Sequence, residues 1–178
     1  MLEALARFEA EGTRGYGVDL GCGTGRDTVE LLRRGWSVLA LDGQAEAIRR
    51  LEARPDLPAE WRPRLETRVS SFEDAAWPEA DLVNASFALP FCRPETFAAV
   101  WSRIVASLRH SGRFCGHQFG DRDGWSGEED MTFLTRGSLD ELLDGLDVER
   151  LDEVEEDGRT AIGDAKHWHL YHLVVRKP

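Results

Sequence analysis

The feature that most constrains the fold of this chain is a glycine-rich turn between two patterned segments. The apolar run Tyr16–Leu20 has the length of a short buried strand and leads directly into Gly21-Cys22-Gly23-Thr24-Gly25. From Asp27 to Arg34 apolar residues recur at helical spacing, and Gly35 follows where a helix terminator belongs. A strand, a glycine turn and a helix in direct succession are typical of the first crossover in a parallel α/β sheet.

The same alternation continues along the chain. Further strands are predicted at 37–42, 64–70, 81–87 and 113–119, and helices at 1–12, 45–54, 96–108 and, capped by Ser138, 138–146. Two last strands, 147–154 and 168–175, have an acidic, glycine-containing loop and no helix between them, so we expect an antiparallel hairpin. The sequence therefore predicts a Rossmann-like, doubly wound α/β fold with a seven-stranded, mostly parallel sheet and a C-terminal antiparallel hairpin.

The length of the chain and the absence of a dividing linker favour a single domain. The chain has 178 residues, within the usual ~100–200 residues of one domain, and no linker or low-complexity tract divides it. We expect a short N-terminal helix over 1–12, a cofactor-binding half over about 13–90 and an acceptor-side half over about 91–178.

The net charge and the cysteine pattern exclude several classes of binding partner. Twenty-two Lys and Arg against 33 Asp and Glu give a net charge of −11, which would repel a phosphate backbone. The three cysteines, Cys22, Cys92 and Cys115, form no CxxC pair, so neither a disulfide framework nor a zinc site is indicated. With no signal-like or membrane-spanning apolar run, we expect a cytoplasmic monomer or homodimer without nucleic-acid or membrane partners.

The glycine turn and the acid after the next strand point to a nucleoside cofactor. In doubly wound sheets ligands bind beyond the carboxyl ends of the strands, where glycines allow close backbone approach and a helix offers free N–H groups. Asp42 ends the second strand, where a carboxylate can accept both hydroxyls of a ribose. A dinucleotide fingerprint requires its third glycine one position later, at Arg26, and Asp19 would face a pyrophosphate. A nicotinamide-dependent oxidoreductase therefore stays only as a weaker alternative.

Asp19-Leu20-Gly21-Cys22-Gly23-Thr24-Gly25, with Asp42 17 residues after the last glycine, resembles motif I and the following acidic position of class I S-adenosylmethionine-dependent methyltransferases. The resemblance extends over nearly the whole chain and is closest in kind to compact bacterial small-molecule members, including the tellurite-resistance and thiopurine types. It implies methyl transfer by in-line displacement from S-adenosyl-L-methionine to a small-molecule acceptor, with S-adenosyl-L-homocysteine as product. A cofactor-binding regulatory or partner subunit without activity of its own is the alternative from another class.

The resemblance also implies roles for residues. Asp19 would lie near the amino end of the cofactor, the glycines along its methionine and ribose, Asp42 at the ribose hydroxyls, and Phe72 and Glu73 at the adenine. The implied cofactor-binding set is Asp19, Gly21, Cys22, Gly23, Thr24, Gly25, Asp42, Gly43, Gln44, Ser71, Phe72, Glu73, Asn84, Ala85 and Ser86. Core packing for Phe72 and a solvated carboxylate for Glu73 remain open at this stage.

The acceptor should enter after the fourth and fifth strands. We expect His117 to be the candidate general base, and the candidate acceptor-binding residues are Phe87, Leu89, Phe91, Phe119, Arg122 and Trp125. A packed strand histidine is the alternative for His117, and a surface arginine is the alternative for Arg122. Core packing is the alternative for Phe87, Leu89 and Phe91. His167 and His169 share a strand face but lack a third ligand, so no metal site is predicted. Asn84-Ala85-Ser86-Phe87 lacks the two prolines of the amino-methylating DNA enzymes, which also disfavours a nucleic-acid acceptor.

Overall fold

The computed structural model describes residues 1–160 and 162–178. In these residues one sheet has the strand order β3-β2-β1-β4-β5-β8-β7, with the short β6 beside β5. The strands are β1 Tyr16–Leu20, β2 Ser37–Asp42, β3 Leu65–Val69, β4 Ala80–Ala85, β5 Leu108–Gly120, β6 Phe133–Leu134, β7 Asp147–Arg159 and β8 Ala165–Arg176. The α-helices are α1 Leu2–Ala10, α2 Arg26–Arg33, α3 Ala45–Glu52, α4 Pro94–Ser107 and α5 Arg136–Leu142, with 3-10 helices at Ala59–Arg64 and Leu89–Phe91.

The strand order confirms the predicted doubly wound fold. β1 pairs in parallel with both β2 and β4, while β4 pairs in parallel with β5. β8 is antiparallel to β5 and to β7, which confirms the C-terminal hairpin. The chain runs outward from β1 through β2 to β3 and then returns to the other side of β1, so the order reverses between β1 and β4. Ligands bind at such a reversal, beyond the carboxyl ends of the strands.

Apolar side chains alternate along the strands and pack on both faces of the sheet. On one face Leu5 of α1 and Leu31 of α2 pack with Leu82 and Val174. On the other face the apolar side chains of α4 pack against Val83, Phe114 and Tyr171; they are Phe97, Val100, Trp101 and Ile104. Both sheet faces are therefore anchored, and the carboxyl ends of β1, β2 and β4 are held in place between the two layers.

Several predicted boundaries were wrong. The N-cap of α5 is Thr135, whose Oγ1 accepts a hydrogen bond of 3.1 Å from the Ser138 backbone, and the helix ends at Leu142. Thr135 supplies the oxygen that satisfies the first turn, so Ser138 lies inside the helix. The predicted acidic loop of the hairpin belongs mostly to β7, because its backbone pairs with β8 as far as Arg159. The two-residue strand β6 was not predicted.

Candidate functional site

A cavity of about 450 Å³ opens at the reversal of strand order. Its walls come from the segments that follow β1, β2, β3 and β4, as expected for a doubly wound sheet. The residues around it are Leu20, Gly21, Leu41, Asp42, Gly43, Gln44, Ser70, Ser71, Phe72, Glu73, Ala75, Phe87, Ala88, Phe91, Arg93 and Asp130. A second cavity, of about 260 Å³, adjoins it along the glycine turn and is lined by Asp19, Gly21, Cys22, Gly23, Thr24, Arg26, Asp27, Ser86 and Phe87. Gly21 and Phe87 border both cavities.

Two glycines of the turn, Gly25 and Gly23, meet different structural requirements. Gly25 precedes α2 with φ at +83°, and a Cβ built on it would lie 2.2 Å from Cδ1 of Leu51, so packing forbids a side chain there. Gly23 also has a positive φ, +54°, but a Cβ on it would meet no heavy atom within 4 Å. The backbone at Gly23, which borders the second cavity, therefore has open space beside it, as close approach to a ligand requires.

Asp42 lies at the end of β2 and fixes the glycine turn to it. Its Oδ2 accepts a hydrogen bond of 2.9 Å from the Gly23 amide, and its Oδ1 accepts one of 2.8 Å from the Gln44 amide. Each carboxylate oxygen has a second lone pair, and the side chain borders the large cavity. The carboxylate can therefore accept hydroxyl donors from a ligand while it holds the turn in position.

Asp19 is buried and already has partners in the protein. Thr28 donates to its Oδ2 at 2.5 Å and Asn84 donates to its Oδ1 at 2.8 Å. Burial raises the pKa of Asp19 to about 6 against these two hydrogen bonds, and the nearby Asp27 carboxylate acts in the same direction as burial. Burial also opposes the charge of Asp27, but hydrogen bonds from Arg26, Ser86 and Asn84 outweigh it and lower the pKa of Asp27.

The remaining members of the predicted cofactor set divide into lining and buried residues. Ser71, Phe72 and Glu73 border the large cavity, as do Gly43 and Gln44. Backbone hydrogen bonding first, and then Ser71 and Thr96, lower the pKa of Glu73 and so keep it ionised. Ala85 and Asn84 are fully buried and border neither cavity. Burial raises the pKa of the Cys22 thiol, so this cysteine of the turn is no nucleophile at neutral pH.

On the acceptor side, Phe87 and His117 form a stacked pair. Their ring centroids are 4.0 Å apart with an interplanar angle of 14°, and the Phe87 amide donates to His117 Nδ1 at 3.3 Å. His172 of β8 lies edge-on to His117 at 4.8 Å. Burial, then the charge effect of His172, lowers the pKa of His117 to about 3, so the ring is neutral and its Nδ1 lone pair faces the Phe87 amide.

Phe91, which is 51% exposed, forms a second aromatic wall of the large cavity. Behind it lie Phe119, at a centroid distance of 6.3 Å, and Trp125, at 6.4 Å. Phe119 is buried, and Leu89 is buried in the core below the cavity, so neither candidate acceptor residue has a side chain that borders it.

The structure does not bring Arg122 to either cavity. Its guanidinium pairs with Glu155 at 2.7 Å and with Glu153 at 3.0 Å on the hairpin. The surface interpretation of this arginine therefore fits the structure, and the acceptor-binding prediction does not. His169 is buried against Glu153, and His167 pairs with Asp157. Within residues 1–160 and 162–178, no group of three or more possible ligands could hold a metal ion.

The sequence did not predict the buried Lys166, which lies beside the candidate acceptor-binding residues Phe119 and Trp125. The Lys166 ammonium pairs with Asp123 and lies 3.8 Å from the ring centroid of Trp168, 4.2 Å from that of Trp125 and 4.8 Å from that of Phe119. Lys166 and Asp123 are 43 positions apart and follow no motif, so only the tertiary structure brings them together. Aromatic residues near Lys166 in the sequence, such as Trp168, were the one signal that could have indicated this buried ion pair.

The family profile of a methyltransferase domain matches residues 18–112, and the chain belongs to this family. It is similar to the magnesium-protoporphyrin O-methyltransferase of Rhodobacter capsulatus, with 36% identity over 87 residues, which are 49% of this chain and 38% of that protein. Among solved structures, TehB from Haemophilus influenzae superposes with a TM-score of 0.79 at 15% identity, over 100% of this chain and 62% of TehB. ChlM, the magnesium protoporphyrin IX methyltransferase of Synechocystis PCC 6803, solved with bound S-adenosylmethionine, gives 0.71 at 14% identity, over 99% of this chain and 77% of ChlM.

These comparisons differ in what they establish. At such low identity the structural matches show a shared fold, whereas the family profile shows the family. The chain spans less than two thirds of the length of the curated relative and of TehB. Among the described residues, no helix is both long and apolar enough to span a membrane.

Proposed function

We propose that this chain is an S-adenosylmethionine-dependent methyltransferase that acts on a small-molecule acceptor. The observation that carries the proposal is the pairing of Asp42 with the open backbone at Gly23, at the carboxyl ends of β2 and β1. A carboxylate that still has free lone pairs suits a ribose, and the open glycine suits the chain that continues from it. Family membership and the cofactor bound in ChlM support the same assignment.

The residues around the cavities fit this cofactor. Phe72 offers an apolar side chain and Glu73 an ionised hydrogen-bond acceptor at the large cavity, as an adenine with an exocyclic amino group requires. Asp19 and Asp27 border the second cavity and give it negative charge, which favours the cationic methionine portion. The cofactor supplies a methyl group on a positively charged sulfur, so the leaving group is already activated.

The chain's own task is then to bind and align. Holding two reactants in line can contribute ~7–11 kcal/mol to the lowering of a barrier, without an acid or a base. The strand ends fix the cofactor-side residues, and Phe87 and Phe91 border the region that an acceptor would enter. In this proposal residues 13–90 bind the cofactor and residues 91–178 contribute most of the acceptor side.

Calorimetric titration with S-adenosylmethionine and S-adenosylhomocysteine tests the proposal. We expect Asp42→Ala to weaken binding at least about tenfold, since a hydrogen bond to a charged group contributes ~1.5–3 kcal/mol. The exposed Asp144, on the segment after α5, provides a matched control, and Asp144→Ala should bind like the wild type. Folded protein that binds neither compound at high micromolar concentration would contradict the proposal. Binding without methylation of any acceptor in a broad panel would support the regulatory-subunit alternative instead.

A further inference from the structure

The ring of Phe87 stands at the junction of the two cavities. Phe87 borders the large cavity together with Asp42 and Phe72, and the second cavity together with Asp19 and Gly23. Under the proposed function the adenosine portion occupies the first and the methionine portion the second. The sulfur that joins these portions therefore lies beside Phe87, and so does the acceptor.

The backbone conformation of Phe87 indicates that the surrounding structure holds its ring in this position. Its φ is +53°, in the left-handed region that bulky residues rarely adopt. Strain of this kind persists only where the surroundings hold it, and it is concentrated at ligand sites. Here the stack on His117 and the hydrogen bond to Nδ1 hold the ring, which remains 39% exposed. The chain thus presents a flat aromatic face to the junction.

The charges around this face are already paired. Arg26 pairs with Asp27 at 2.9 Å, and Arg93 pairs with Asp130 at 3.6 Å across the mouth of the large cavity. Among the residues that line the two cavities, both arginines therefore have a carboxylate partner, with which an anionic acceptor would have to compete. A flat apolar wall without an unpaired cation selects a planar, uncharged molecule.

The titratable groups around this face are engaged in contacts within the protein. The Nδ1 lone pair of His117 is directed at the Phe87 amide, and the ring is flanked by His172. The Asp19 carboxylate is only 2% exposed, and Thr28 and Asn84 each donate a hydrogen bond to one of its oxygens. Asp27 pairs with Arg26, and hydrogen bonds lower its pKa, which makes it a poor base. An acceptor that must lose a proton before or during attack is therefore disfavoured.

We propose that the acceptor is a planar, uncharged heteroaromatic compound whose ring-nitrogen lone pair is the nucleophile, and that it stacks on Phe87. This inference rests on the proposed function. The nitrogen lone pair forms the new N–C bond as the C–S bond breaks, and the electron pair of that bond stays on sulfur. The positive charge passes from the sulfonium to the N-methylated ring, and no proton is released. The cationic product is stabilised by the aromatic faces and by a protein of net charge −11.

Three small compounds test separately whether the acceptor must be planar and whether it must react without losing a proton. Isoquinoline is planar, neutral and has a ring nitrogen without a proton; 2-naphthol has a similar shape but must lose a proton; tetrahydrothiophene has a lone pair but is not planar. With radiolabelled S-adenosylmethionine we expect isoquinoline to be methylated, and each of the other two at less than a tenth of that rate. We also expect the isoquinoline rate to be flat between pH 7 and 9, because no base has to be deprotonated.

Binding of the product cation gives a readout that is independent of turnover. N-methylisoquinolinium should quench tryptophan fluorescence in the protein saturated with S-adenosylhomocysteine, since Trp125 lies behind Phe91. Phe87→Leu removes the ring face, and we expect it to weaken this binding about tenfold. Val148→Ala, which truncates an exposed apolar side chain on β7, should leave it unchanged. Circular dichroism verifies that both variants are folded.

The outcomes distinguish the inference from the function on which it rests. If S-adenosylhomocysteine does not bind, the proposed function fails, and the inference fails with it. If it binds but isoquinoline is not methylated, or 2-naphthol or tetrahydrothiophene is methylated as fast, only the inference is overturned. Equal affinity of Phe87→Leu and wild type for the product cation would also overturn it.

Discussion

The side-chain amide of Asn84 donates a hydrogen bond of 2.8 Å to the carboxylate of Asp19, and this bond joins β4 to β1 at the reversal of strand order. The same nitrogen lies 3.2 Å from Oδ2 of Asp27. One neutral amide therefore holds two carboxylates at the base of the second cavity. Asp19 directly precedes the glycine turn and borders the second cavity, and each of its carboxylate oxygens accepts a hydrogen bond from within the protein.

Replacing Asp19 should change how stability depends on pH. Its pKa is raised from 3.8 to about 6 on folding, so the folded state binds the proton more tightly than the unfolded state. This group therefore stabilises the fold below about pH 3.8, and the stabilisation is lost as the pH rises through about 6. Asp19→Asn, which keeps the shape, lacks this dependence. Between pH 4 and 7 wild type should lose about 2–3 kcal/mol relative to the variant, measured by urea unfolding.

The glycines of the turn should separate packing from ligand binding. Gly25→Ala places a Cβ against Leu51 in addition to the cost of a positive φ, and we expect a loss of about 2–4 kcal/mol in unfolding free energy. Gly23→Ala should cost only about 1 kcal/mol but should weaken S-adenosylhomocysteine binding, because its methyl group would occupy open space at a residue that borders the second cavity. Gly12 also has a positive φ and open surroundings, so Gly12→Ala is the matched control for backbone cost alone. Equal affinity of Gly23→Ala and Gly12→Ala would show that Gly23 does not face the ligand.

The buried ion pair between Lys166 and Asp123 should be important for stability. Lys166→Met leaves the buried Asp123 carboxylate without its cation, and removal of one partner from a buried pair costs about 3–5 kcal/mol. The double variant Lys166→Met with Asp123→Asn should lose less than the sum of the single variants, because no unpaired charge remains. Arg136→Met, which breaks the exposed pair with Asp140, should change stability by less than about 1 kcal/mol. Additive losses at Lys166 and Asp123 in chemical unfolding would contradict this account.

The sequence predicted the fold, and the residues that meet at the strand ends, because both depend on local patterns. The β1 and β2 ranges were correct to the residue, and Asp42, Gly21 and Phe72 line one cavity because strand ends meet at one edge of a parallel sheet. The acceptor side depends on long-range contacts that leave no pattern. The stack of Phe87 on His117 joins two strand ends, and the Arg122 ion pairs join a loop to a hairpin whose register no motif specifies. Predictions for these residues could therefore name candidates but could not place them.

His117 should produce a pH dependence opposite in sign to that of Asp19. Its pKa falls from 6.5 to about 3 on folding, chiefly through burial, so the unfolded state binds the proton more tightly. Its contribution is present above about pH 6.5 and is lost as the pH falls toward 3. Between pH 7 and 4 wild type should lose about 2–3 kcal/mol relative to His117→Gln, measured by urea unfolding.

Since Asp19 and His117 act in the same pH window with opposite sign, their effects should largely cancel in the wild type. Each single variant should then expose the slope of the other group: Asp19→Asn should weaken toward acid, and His117→Gln should weaken toward neutral pH. The double variant should have a flatter curve than either single variant. Curves for the two single variants that run parallel to each other would show that the pKa values of these groups do not shift in opposite directions on folding.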